Sequence, residues 1–181
     1  MALLTITRAA LALLFAGSVC SPFSQISQSA PEHEVKAAFL FNFTKFVTWP
    51  PLPAGQPFRV CVVADQATTA AIDRAMQNET VLDHKTETVI PVSVDQVRSC
   101  QILFIGQDGS GRGAALLASI RSLPVLSVGD GPDFLERGGI IKFVAVDGRI
   151  RFDVHLSNAA RARLSINARM LRVAREVKGT P

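Results

Sequence analysis

Apolar and polar positions along this chain fall into short blocks, and the block lengths predict strands alternating with helices. Over residues 32–49, Phe39, Phe43 and Phe46 recur at helical spacing, with Val35, Leu40 and Val47 beside them and Lys36, Asn42 and Lys45 on the other side. The pattern predicts one aromatic-rich helix, stopped by Pro50 and Pro51 after Trp49. Phe58–Ala64 is a nearly continuous apolar run ending at Asp65, as expected of a strand covered on both faces. Residues 66–77 read as helix, and Thr86–Val94 as an edge strand, because Pro91 suits an edge better than a sheet centre. Gln101–Ile105 reads as a second buried strand, Gly113–Ser122 as a helix and Pro124–Val128 as a third strand. Beyond Gly138-Gly139, Ile140–Val146 and Arg149–His155 flank Asp147-Gly148, a strong hairpin signal. Ser157 or Asn158 can cap a helix through Arg163, and Asn167 another that carries Met170, Leu171, Val173, Ala174 and Val177.

This order predicts the α/β class: a single Rossmann-like domain whose mostly parallel sheet is extended by an antiparallel hairpin, with helices on both faces. A chain of 181 residues, 48% apolar, suits one domain with a substantial core, placed at 32–177. Residues 1–29 read as a signal peptide and polar linker. Arg8 supplies the positive start, Ala9–Val19 the apolar run, and Ser18-Val19-Cys20 or Ser27-Gln28-Ser29 a small-residue cleavage site. That run is too short for a bilayer core of ~30 Å, and no later segment stays apolar for ~18 residues, so the expectation is a soluble, exported protein. Lipidation of Cys20 is the weaker reading, since Gly17-Ser18-Val19 lacks the preceding Leu and small residue that such a site wants.

Loss of the signal leaves Cys61 and Cys100, a natural pair in an oxidising compartment, with two buried free thiols as the alternative. His33, His84 and His155 show no ligand spacing with them, so neither a metal nor a cofactor is expected. The formal charge of +4 becomes +3 without Arg8, yet it is uneven: Arg149 to Lys178 holds eight basic residues against Asp153 and Glu176. A solvated helix face explains most of these, and an acidic partner or anionic ligand the rest. Export, and the lack of aromatics interleaved with the arginines, speak against nucleic acid.

No catalytic residue is assigned. Gly106–Gly113, with Arg112, leaves a strand and opens a helix as a phosphate cradle would, but matches neither the dinucleotide fingerprint nor a nucleotide-triphosphate loop. Asp153, His155 and Ser157 invite a hydrolase reading without any nucleophile elbow or oxyanion motif. Arg149, Arg151 and Asp153 share one strand face, while Ile150, Phe152 and Val154 share the core face. With His155, that first set is the candidate partner surface or small-anion site. Asn42 and Lys45, the polar members of the aromatic stripe, and Trp49, either core anchor or contact residue, complete the candidate binding residues.

Several stretches together resemble one family: Glu34–Pro50, Phe58–Val62, Cys100–Ile105, Pro124–Val128, Phe134–Ile141, Gly148–Val154 and Leu164–Ala174 look like the YfiR/HmsC-like periplasmic proteins. The resemblance implies a Rossmann-like domain that works by binding and not by chemistry. It implies a negative regulator that engages the periplasmic sensor domain of an inner-membrane diguanylate cyclase and so limits cyclic-di-GMP and biofilm formation. Redox state and an outer-membrane lipoprotein would modulate the inhibition, and relatives suggest a homodimer. Cys61 and Cys100 match the family's structural cysteine positions, whereas a second disulfide of the family's namesake has no counterpart here. A small-molecule-binding envelope protein with no cyclase partner is the alternative.

Overall fold

The computed structural model describes residues 30–107 and 110–180; the expected signal segment with Cys20, and Asp108-Gly109 of the glycine-rich loop, lie outside them. The chain runs α1 (Glu32–Phe43), β1 (Val47–Thr48), β2 (Phe58–Val63), α2 (Gln66–Met76), β3 (Thr80–Val81), β4 (His84–Val89), α3 (Val94–Arg98) and β5 (Ile102–Ile105). It continues as α4 (Ser110–Ser119), β6 (Leu126–Gly129), β7 (Ile141–Val146), β8 (Arg149–His155), α5 (Leu156–Arg161), β9 (Ser165–Ile166), α6 (Ala168–Leu171) and β10 (Glu176–Lys178). Eight strands form one sheet in the order β10-β8-β7-β6-β5-β2-β4-β3, and β1 pairs with β9 in a separate ribbon. The pairs β4-β2, β2-β5, β5-β6 and β6-β7 are parallel. Strands β7 and β8 run antiparallel across Asp147-Gly148, where both residues adopt positive φ, and β10 lies parallel to β8.

The central strands are apolar on both sides because both sides are covered. Val60, Val62, Ile102, Phe104 and Val128 belong to the core formed with α1 and α2. Cys61, Leu103 and Ile105 alternate with them and belong to a second core with Val97 of α3 and Leu116 and Leu117 of α4. In the first core, α1 contributes Phe43, whose ring lies 5.0 Å from that of Phe152 and 5.9 Å from that of Phe143. Such edge and offset contacts add about 0.5–1.5 kcal/mol per pair beyond burial. Asp65 caps α2 by accepting from Thr68 N at 2.9 Å and Thr68 Oγ1 at 2.6 Å; these bonds hold its carboxyl below the ordinary range.

Five expectations need correction. The aromatic helix ends at Phe43, not at Trp49: Thr44 Oγ1 donates to Phe41 O at 2.6 Å, successive i→i+3 bonds tighten the last turn, and β-branched Val47 and Thr48 pair with Ile166 and Ser165. Strand β4 is not the edge, because β3 folds back along it, Thr80 opposite Lys85 and Val81 opposite His84. Residues 90–93 leave the sheet, and Ser93 caps the short α3 that the sequence pattern did not predict. Finally, α6 is one turn long, and Glu176–Lys178 forms β10 instead of continuing the helix. Helix α5 also starts early: His155, not Ser157 or Asn158, is its cap.

Cys61 and Cys100 are joined by a disulfide, with Cα atoms 6.0 Å apart and both residues buried. The bond ties β2 to the segment that leads from α3 into β5. Closing a loop of 39 residues restricts the unfolded chain, worth about 4 kcal/mol in the chain-entropy description. The C61A/C100A double variant is therefore expected to unfold in urea with its stability lowered by about 2–4 kcal/mol and a larger m-value, since the unfolded chain expands. An unchanged midpoint and slope would show that the cross-link contributes nothing.

Candidate functional site

Strand β8 presents two unlike faces. Phe152 and Val154 are buried in the core beneath α1, with Ile150 packed against its edge. Arg149, Arg151 and Asp153 therefore stand on the other side. Residues directly opposed across an antiparallel pair share a face, so Val146, Val144 and Lys142 stand beside Arg149, Arg151 and Asp153 in that order. The core under α3 and α4 contains no residue of β7 or β8. This end of the sheet is left open, with Arg149, Arg151 and Val146 exposed and Lys142 and Val144 half-buried. Among the described residues no carboxylate lies within ion-pair distance of Arg149 or Arg151.

Asp153 belongs to the same row but is only 3% exposed. Arg175 covers it through a two-pronged pair, Nε to Oδ1 at 2.7 Å and the neighbouring guanidinium nitrogen to Oδ2. The bond to Asp153 raises the Arg175 pKa above its ordinary value. Arg175 is placed by its own backbone, whose N–H donates to Phe152 O at 2.8 Å just before β10 begins. The carboxylate that sequence placed on the available face is thus neutralised within the fold.

The other candidate residues do not converge. Arg149 and His155 mark opposite ends of β8, about 20 Å apart at ~3.3 Å per residue. His155 Nδ1 accepts from Asn158 N at 3.4 Å at the start of α5, and Ser157 Oγ donates to Thr180 O at 2.8 Å. Gly179, at φ +72°, crosses so near them that a Cβ there would lie 2.4 Å from Ser157 Oγ. Asp153, His155 and Ser157 are each engaged elsewhere and form no proton relay. Trp49 is buried, donates Nε1–H to Gln101 O at 3.0 Å and meets Phe58 edge-on with centroids 5.2 Å apart: an anchor between the β1 segment and the start of β5. Asn42 and Lys45 are exposed at the end of α1, where Lys45 Nζ lies 4.3 Å from the Phe41 ring centroid and donates to Asn42 Oδ1 at 3.3 Å.

Arg112, in the first turn of α4, donates to Pro91 O and so braces the turn after β4. Among the described residues there is no group of three or more His, Cys, Asp and Glu arranged to hold a metal ion, and no helix long and apolar enough to cross a membrane. Two residues that sequence reasoning passed over matter to the site. Arg175 was one basic residue among eight, and only the β8–β10 register reveals its acid. Lys36 was a polar-face residue, yet it is buried and its Nζ pairs with Asp130, 94 residues away, and with Glu32. Burial opposes its charge, but these two carboxylates outweigh that and raise its pKa.

A family profile described as YfiR/HmsC-like matches residues 33–175. Among solved structures, a conserved domain protein from Vibrio cholerae O1 biovar El Tor superposes with a TM-score of 0.54 at 10% identity, over 81% of this chain. At that identity the likeness concerns the fold alone, and the chain spans 60% of that protein's length. No curated protein matches.

Removing Arg175 would strand a buried carboxylate. The R175M variant is expected to lose about 2–3 kcal/mol at neutral pH, below the usual figure for a fully buried pair because the arginine is half-exposed. Urea melts of both proteins at neutral pH check the loss; an unchanged stability would show that the Asp153–Arg175 pair contributes nothing to the fold.

Proposed function

The chain belongs to the YfiR/HmsC-like family of periplasmic regulatory proteins, and we propose that it restrains a membrane diguanylate cyclase by engaging that enzyme's periplasmic sensor domain. The observation that carries this reading is the open end of the sheet, where Arg149 and Arg151 have no ion-pair partner among the described residues and stand beside Val144 and Val146. Two cations bordering an apolar strip suit a partner surface that is acidic at its rim and apolar at its centre. The Asp153–Arg175 pair fits the same role, since it cancels an acid within the row that would repel such a partner. Asn42 and Lys45 form a second exposed polar patch that the partner or a modulating outer-membrane lipoprotein could touch. Binding then regulates by occupancy, with no bond made or broken by this chain.

The reading predicts a rise in cellular cyclic-di-GMP when the gene is deleted, reversed by the wild-type gene and not by an R149E/R151E version that is secreted and folded. With the purified sensor domain, the same double variant is expected to bind at least tenfold more weakly, and the wild-type affinity to fall with added salt. An unchanged cyclic-di-GMP level on deletion would sink the proposal.

A further inference from the structure

The parallel strands run β4-β2-β5-β6-β7, so successive strands are laid down on one side of β2 first and on the other side afterwards. The crevice outside the carboxyl ends at such a reversal is where open α/β sheets hold ligands. Here it is a cavity of about 380 Å³, a size that suits a small organic molecule. Glu32, His33 and Lys36 of α1, Asp65 and Thr68 at the head of α2, Gly106 and Gln107 after β5 and Asp130 after β6 line it.

Its polar groups are unevenly satisfied. Asp65 is occupied by Thr68. The Lys36 and Asp130 side chains are 9% and 10% exposed, and the lysine ammonium reaches both Asp130 Oδ2 and Glu32 Oε1, the latter at 2.6 Å. Among the described residues the enclosed Asp130 Oδ1 has no hydrogen-bond partner. Lys36 is the one ammonium among three lining carboxylates, with His33 beside them, and the unmet atom is an acceptor, so the cavity is short of cationic donors. Beside it, sharing Gly106 and Gln107, is an apolar slot of about 60 Å³ walled by Leu117, Pro132 and Phe134.

We propose that this crevice binds a small primary ammonium compound with a compact apolar tail. The ligand's ammonium donates to Asp130, Lys36 Nζ keeps its bond to Glu32 as it turns from the aspartate, and the tail enters the slot. No residue of the open face of β7 and β8 takes part, so the proposal does not depend on the partner suggested above.

The test is an amide NMR titration of the purified protein with isobutylammonium chloride, isobutanol or calcium chloride. Saturable shifts of the Gly106 and Gln107 signals with isobutylammonium, and none with isobutanol, are expected. D130N should weaken ammonium binding at least tenfold, and K36M should tighten it several-fold because no resident ammonium competes. Equal shifts with isobutanol, shifts with calcium alone, or unchanged affinity in either variant would overturn the proposal. If D130N does not fold, the comparison of ammonium with alcohol on the wild-type protein decides the matter.

Discussion

Covering both faces of β2, β5 and β6 is the constraint on which the rest of the architecture depends. Residues that alternate along these strands are buried in either direction and mostly apolar, so neither side tolerates water and helices must pack on each. The phenylalanines of α1 meet this need on one side, with Phe39 and Phe43 reaching across to Phe143 and Phe152. The buried parts of α3 and α4 meet it on the other. Trp49 and the disulfide then fix the connecting segments to the same strands.

The covering layers are unequal, and the proposed docking face follows from the inequality. On the α1 side the core reaches as far as Phe152 and Val154, whereas on the α4 side it stops at Phe134 and Leu135. Strands β7 and β8 therefore carry apolar residues on one face and a mixed basic face on the other. The sharpest sign of that boundary is Asp153: it sits at the inner end of the open row, loses its access to water, and is matched by the guanidinium of Arg175, the residue just before β10.

The parts legible from sequence were those in which one local signal agrees with the tertiary environment. Continuous apolar runs mark β2, β5 and β6 because those strands are buried on both sides. Asp65 marks the start of α2 because a cap is a local bond. Phe46 and Val47 misled because they fit a helical period as well as the turn and two-residue strand they occupy; only pairing with Ile166 and Ser165 separates the two. Val177 misled likewise, since a three-residue strand exists through its neighbour β8 and not through its own pattern. The candidate site was half legible: period two separated Arg149 and Arg151 from the core, but nothing local disclosed that Arg175 would claim Asp153 or that Lys36 would meet Asp130.

The cross-link between Cys61 and Cys100 encloses α2, β3, β4 and α3. Everything on that flank hangs from β2 as one closed loop, while the flank bearing Arg149 and Arg151 is held by ladder bonds outside the loop. Reductants would thus slacken the margin farthest from the basic strip and leave the strip itself in place. Thiol chemistry at this bond would therefore act on that margin first, away from the basic face.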